Sequence, residues 1–253
     1  VRNGSFTMYG GSITGNEGGV IVNGGCTFTL YGGKITENEW TNAGFTGNSG
    51  VYVYNGGGIF YMYGGEISKN TTAGDGGGVS IAGRFYMYGG TITNNTAKGS
   101  GGGVYNNGTF GMSGGSITDN AATNDGGGVY NGGIFEISDN ITIKDNKKGT
   151  DTTSDDPNNV YLHRTKPITI AGKLGEAVSI GVTTEDSLSN NDYVNIAKGK
   201  DDKTLDTLDT AAKSRLTYTD EDGKSHEIVT REGGKILAVC KHSSYETNWR
   251  SDA

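Results

Sequence analysis

Residues 83–95 read GRFYMYGGTITNN. Phe85 and Met87 alternate with Tyr86 and Tyr88, two glycines follow, and a second short alternation around Ile92 ends on Asn94 and Asn95. Alternation with period two is a strand signal, and it sets Phe85 and Met87 on one face and the tyrosines on the other. Nearly the same sentence recurs along the chain. A phenylalanine returns as Phe6, Phe28, Phe60, Phe85, Phe110 and Phe135, and two positions on stand Met8, Leu30, Met62, Met87, Met112 and Ile137. An apolar residue follows at Ile13, Ile35, Ile67, Ile92, Ile117 and Ile143, with Asn16, Asn38, Asn70, Asn95, Asn120 and Asn146 three positions later. Val20, Val51, Val79, Val104, Val129 and Val160 complete each unit. Three of the five Phe-to-Phe steps are 25 residues, and the others are 22 and 32.

Each unit therefore holds three short strands separated by glycine or asparagine turns, and no run is long enough for an amphipathic helix. Residue types that recur at one phase fit a coil in which each strand lies parallel to its counterpart in the next repeat. The expected fold is all-β, a right-handed parallel β-helix with three strands and about 25 residues per turn, because parallel crossovers strongly prefer that hand. The Phe, Met/Leu, Ile and Val columns point inward. Paired glycines supply positive φ or close backbone approach at corners. The asparagines form a hydrogen-bonded ladder, with a catalytic role as the competing reading.

Composition limits the function classes. The chain has 253 residues, 46 of them glycine and 2 proline, and glycine keeps no strict period of three, which excludes collagen. Net charge is −7 and the 21 basic residues form no cluster, which disfavours nucleic acid as a partner. Cys26 and Cys240 fit neither a disulfide framework nor a zinc spacing. No apolar run approaches the ~20 residues that cross a bilayer, and no signal peptide is evident. Val1 lies inside a repeat, the pattern expected of a segment from a longer protein, and the chain is expected to be monomeric.

The regular repeat fades after about residue 165. Divergent strands are expected over 166–198, completing a β-helix of residues 1–198. Residues 199–239 are expected to cap its open end, with a short helix in TLDTLDTAAKSRL (Leu205, Leu208, Ala212, Leu216), a hairpin at the Asp-Gly of RLTYTDEDGKSHEIVT and a last strand in GGKILAV. Residues 240–253 change composition again, as a linker or the start of a following module.

The motif Y-G-G-x-I-[ST]-x-N, then G-G-G-V-Y, then G-x-F-x-M, resembles the tandem repeats of large adhesin-like surface proteins of anaerobic gut bacteria. Tyr88–Asn95 and Gly101–Tyr105 carry it well. Those repeats are similar to the pectin-lyase-like right-handed β-helix superfamily. The segment NNVYLHRTKPITIAGKLG resembles the way such arrays end, and the tail around His242 and Trp249 resembles the modules that follow them. The resemblance spans about residues 4–165 and implies an extracellular location on a bacterial cell surface. It leaves function open, since one fold hosts enzymes, binding proteins and scaffolds.

Three functions compete. A non-catalytic adhesin or stalk would contact a glycan or host surface protein through outward tyrosines, with Tyr9, Tyr31, Tyr61, Tyr63, Tyr86 and Tyr88 on one face and Trp40 and Phe45 on an adjacent inserted loop. Tyr52, Tyr54, Tyr105, Tyr130 and Tyr161 are expected on the next face. A polysaccharide lyase or hydrolase would need converging carboxylates, for which Asp75, Asp125 and Asp156 are the candidates. Ser100 occupies the intervening repeat, and no Lys or Arg recurs beside them as a base. The third possibility is an inert spacer, since tyrosine has high strand propensity and cross-strand ring pairs stabilise a sheet without any ligand. No catalytic residue, metal ligand or cofactor is assigned. His163, His226 and His242 read as surface residues. GKS at Gly223–Ser225 lacks the first glycine and long helix of a phosphate loop. Lys34, Glu66 and Lys144 interrupt the threonine rows that an ice-binding face would need.

Overall fold

A computed structural model describes residues 4–42, 50–149, 158–163, 166–175, 178–184, 193–200, 216–219, 225–226, 228–231 and 236–240. These residues are all-β, with a single helical residue, Lys200. One 23-stranded sheet and a second of five short strands contain every strand. Pairing is parallel throughout the repeats, and each strand meets the equivalent strand of the next repeat in register.

Three columns of strands result. The phenylalanine column begins Ser5–Met8, Thr27–Leu30, Ile59–Met62 and Arg84–Met87, with Phe6 beside Phe28, Phe28 beside Phe60 and Phe60 beside Phe85. It continues into Thr109–Thr118 and Ile134–Lys144, where Phe85, Phe110 and Phe135 align. The isoleucine column aligns Ile13, Ile35, Ile67, Ile92, Ile117 and Ile143. The valine column aligns Val20, Val51, Val79, Val104, Val129 and Val160. All three of the expected columns are therefore present. A fourth, which three strands per repeat did not anticipate, consists of two-residue strands: Glu39–Trp40, Thr71–Thr72, Thr96–Ala97, Ala121–Ala122 and Lys147–Lys148.

The core is a set of like-on-like stacks. Phe28, Phe60, Phe85, Phe110 and Phe135 are fully buried, and their rings succeed one another at 4.6–5.0 Å, nearly parallel. That spacing is the strand separation itself, so ring stacking costs the backbone no distortion. Phe6 departs from the expectation of burial. It is 49% exposed, with the Phe28 ring stacked on it at 5.3 Å.

The asparagine ladder is built as expected. Nδ2 of Asn16, Asn38, Asn70, Asn95 and Asn120 each donates to Oδ1 of the next, at 2.9–3.0 Å. Asn146 extends it to Asn159, which the repeat pattern did not include, at 3.0 Å. Each Nδ2 from Asn38 to Asn146 also reaches the carbonyl of the isoleucine one level below, at 2.9–3.0 Å. The residue before each of the six repeat asparagines, Asn16 to Asn146, is left-handed: Gly15 at φ 68°, then Glu37, Lys69, Asn94, Asp119 and Asp145 at 54–58°. The sequence reading placed positive φ only at paired glycines. Those do adopt it at Gly33, Gly65, Gly90 and Gly115, but the ladder corner demands it of ordinary side chains as well. A shorter second ladder, unforeseen, runs from Asn106 Nδ2 to Asn131 Oδ1 at 2.7 Å.

Past the regular repeats, Ile168–Leu174 continues the phenylalanine column, and Tyr193–Gly199 pairs parallel to it. Leu216–Thr219 pairs antiparallel with Ser225–His226, which places the expected hairpin. Ile236–Cys240 runs antiparallel to both Ile228–Arg231 and Tyr193–Gly199. Of the expected helix, Leu216 begins a strand, and Leu205, Leu208 and Ala212 lie outside the described residues. Among the described residues no helix is long and apolar enough to cross a membrane.

Candidate functional site

Because Phe and Met fill the inward positions of the first column, the residues between and after them face outward. Tyr9, Tyr31, Tyr63 and Tyr88 follow the Met/Leu position on four successive levels. Their rings stack at 5.1, 5.0 and 4.9 Å, with interplanar angles of 5–13°. Tyr9 is 76% exposed, and the other three lie between 46% and 48%. Tyr61 and Tyr86 form a parallel row, 5.6 Å apart, and Tyr61 comes within 6.4 Å of Tyr63. Six of the residues expected to bind are thus brought together as one contiguous aromatic surface.

Its geometry differs from a flat platform. Tyr31 and Tyr63 each carry a neighbouring ring on both faces, so they present edges and hydroxyls outward. The second row ends at Gly111, the strand partner of Tyr86: a Cβ there would stand 2.9 Å from Tyr86 Cδ1. Burial and, to a lesser degree, the facing phenols of Tyr63, Tyr61 and Tyr86 push the Tyr88 hydroxyl above the ordinary tyrosine range. The Tyr88 phenol is therefore a neutral donor and acceptor at physiological pH.

Trp40 does not share this row. It lies half-buried in the fourth column, in register with Thr72, and its Nε1 donates to the Asn42 carbonyl at 2.7 Å. Phe45 lies outside the described residues.

The second tyrosine face is only partly as expected. Tyr105 and Tyr130 stack at 4.9 Å and Tyr52 meets Tyr54 edge-on at 5.7 Å, but Ser80 interrupts the row between Tyr52 and Tyr105. Tyr161 was expected to be exposed and is buried, at 8% exposure. It stacks against Tyr130 at 5.4 Å and forms part of a hollow rather than an open face. His163, read as a plain surface residue, packs on Tyr130 at 5.6 Å in the same hollow.

The carboxylate candidates are tied into the scaffold. Asp75 Oδ1 accepts the Ser100 amide at 2.7 Å. Asp125 Oδ1 accepts Lys148 Nζ at 2.8 Å, so one of the two described aspartates has a basic neighbour that the repeat reading did not identify. Lys148 comes from the fourth column, which the repeat reading did not contain, so the neighbour was invisible from the local motif. The Gly101 amide bonds the Asp125 carbonyl and the Gly76 amide bonds the Ser100 carbonyl, so Ser100 occupies the level between the two aspartates, which stand two levels apart. Asp156 lies outside the described residues. Among the described residues no group of three His, Cys, Asp or Glu side chains is placed to hold a metal. The outward Lys34 and Glu66 that break the threonine rows pair at 2.9 Å.

No family profile matches the chain, and neither a curated protein nor a solved structure does.

Proposed function

We propose that this chain is a non-catalytic binding and stalk segment of a bacterial surface protein, and that it holds an extended glycan along the Tyr9–Tyr31–Tyr63–Tyr88 ladder. The carrying observation is the spacing of that ladder, 4.9–5.1 Å between exposed rings. It is close to the advance of one pyranose along an extended polysaccharide, so successive hydroxyls would meet successive sugar units. Ring edges supply apolar contact, and the phenols give or take hydrogen bonds. A rigid sheet fixes these groups before the ligand arrives, which lowers the ordering cost of binding.

The scaffold in this reading is a closed right-handed β-helix over residues 1–198, with residues 199–239 as its cap. Support comes from the fixed chain order of the columns, the parallel register with steps near 25 residues, and the right-handed preference of parallel crossovers. The antiparallel strands Ile228–Arg231 and Ile236–Cys240 would cover the last edge. Extracellular placement on a cell surface rests on the repeat resemblance. A host protein is the competing occupant of the same ladder.

The test is retention of the full chain on surfaces carrying an extended β-linked polysaccharide, mucin, or deglycosylated mucin. Tyr31→Ala, Tyr63→Ala and Tyr88→Ala combined should lower glycan retention more than about tenfold with circular dichroism unchanged. Retention unaltered in that variant defeats the ladder as the site, and retention on deglycosylated protein alone moves the assignment to a protein partner.

A further inference from the structure

We propose that the hollow around Asp125, Lys148 and His163 is a discrete site for one neutral pyranose unit, on a face that shares no residue with the tyrosine ladder. The hollow measures about 330 Å³ and is also lined by Ser100, Tyr130 and Tyr161. Small-ligand sites span roughly 300–1,000 Å³, and this one lies at the lower end of that range, the scale of a single sugar ring.

Its walls select the chemistry. The Asp125 carboxylate and the Lys148 ammonium stand 2.8 Å apart, which sets a strong acceptor beside a strong donor. Adjacent hydroxyls of a sugar match that pair: one donates to the carboxylate and its neighbour accepts from the ammonium. The two charges cancel. A uronate or an amino sugar could pair with one of these groups only by displacing the other, which would break the existing ion pair, whereas a neutral sugar leaves it intact. The aromatic wall is fixed in advance, because Tyr130 is held between Tyr105 at 4.9 Å and Tyr161 at 5.4 Å.

The repeat itself shows that this is a local departure. In the fourth column Thr72, Ala97 and Ala122 are buried, and the next member is Lys148. One level below Asp125 the equivalent residue is Ser100, and below that Asp75 is turned onto the Ser100 amide. The scaffold thus accepts small residues at both positions and needs no ion pair to propagate. The pair occurs where Tyr130, Tyr161 and His163 converge, and there it makes a polar hollow.

The test is titration of the full chain with methyl glycosides of glucose, galactose and mannose, alongside glucuronate and glucosamine, read by saturation-transfer NMR and calorimetry. At least one neutral glycoside should bind in the millimolar range. Asp125→Asn and Lys148→Met should each weaken it about tenfold or more with circular dichroism unchanged. Tyr161→Phe, which removes only a wall hydroxyl, serves in place of either charge variant that loses its fold. Binding of charged sugars alone, binding of none, or binding undiminished in these variants overturns the proposal. Retention of polymers on the ladder is a separate measurement on other residues, so failure of either reading leaves the other standing.

Discussion

The backbone amide and the side-chain Nδ2 of Asn95 both donate to the same Oδ1 of Asn120, each at 3.0 Å, and both side chains are wholly buried. Asn95 Oδ1 in turn accepts both donors of Asn70, at 3.0 and 2.9 Å. Every polar atom of the amide is satisfied: its oxygen accepts from one level while its NH2 donates to the other. Asn95→Ala would leave the Asn70 backbone amide unpaired, strip Asn70 Nδ2 of one of its two acceptors and remove a donor from the Ile67 carbonyl, all in a wholly buried site. The expected loss is about 2–4 kcal/mol, read from the denaturant midpoint at constant slope. Asn16→Ala, at the exposed end of the same ladder, should cost less than about 1 kcal/mol. Equal losses at the two positions would show that the ladder does not act through burial.

Lys69 holds φ 54° immediately before its ladder asparagine. A non-glycine residue in this region carries about 1 kcal/mol of strain, and glycine removes it while adding a comparable entropy to the unfolded chain. Lys69→Gly should therefore be neutral or stabilising by less than about 1 kcal/mol. Lys69→Val should cost more than about 1 kcal/mol, since a β-branched side chain tolerates positive φ worst. Thermal melts of the two variants decide it, and a Val variant as stable as the Gly variant would mean that the corner relaxes.

Phe85, Ile92, Asn95 and Val104 could be placed from sequence because they repeat at one phase, and a stack makes phase equivalent to burial. The outward row of Tyr63 and Tyr88 followed from the same arithmetic. Trp40 reads from sequence as part of an inserted loop, and Ala122 and Lys148 are not placed, because a two-residue strand is too short to show alternation and its second position runs Trp40, Thr72, Ala97, Ala122, Lys148 with no constant residue type. Without that column the Asp125–Lys148 pair, 23 residues apart, has no local signature. Tyr161 was misread for a related reason. Its phase puts it outward, but it is buried, with the Tyr130 ring stacked on it at 5.4 Å. Left-handed Glu37 and Lys69 were missed because residues that only tolerate a conformation, rather than prefer it, carry no mark of it.

Gly103 explains why the unit is written with consecutive glycines ahead of its valine. A Cβ on Gly103 would stand 2.6 Å from the Gly128 carbonyl oxygen, 2.8 Å from Ile117 Cγ2 and 3.0 Å from Asn120 Nδ2. The first is backbone in a hydrogen-bonded level and the third belongs to the ladder, so neither can give way cheaply. Gly103→Ala should cost about 3 kcal/mol or more, whereas Gly10→Ala, with open space around it, should stay within about 0.5 kcal/mol. Comparable melting temperatures for the two variants would remove close backbone approach as the reason for the glycine run.

Tyrosine ionisation gives a test of the outer faces at high pH. Burial holds the Tyr105 phenol above the ordinary range, the Asp75 charge adds to this, and the hydrogen bond from Asn107 works against it. Tyr52 and Tyr88 are raised as well, in both cases first by burial and then by facing phenols. A group whose folded pKa exceeds its unfolded value keeps its full contribution below the unfolded value, about 10 for tyrosine, and loses it as pH rises through the folded one. Melting temperature should accordingly show no tyrosine-linked loss below about pH 10 and should fall above it. Carbon-13 NMR at the tyrosine Cζ should resolve a late-titrating set. Asp75→Asn keeps an oxygen for the Ser100 amide while deleting the charge, so Tyr105 should titrate earlier and Tyr88 should not move. If both resonances stay where they were, the Asp75 charge does not reach the Tyr105 hydroxyl, and burial alone sets its ionisation.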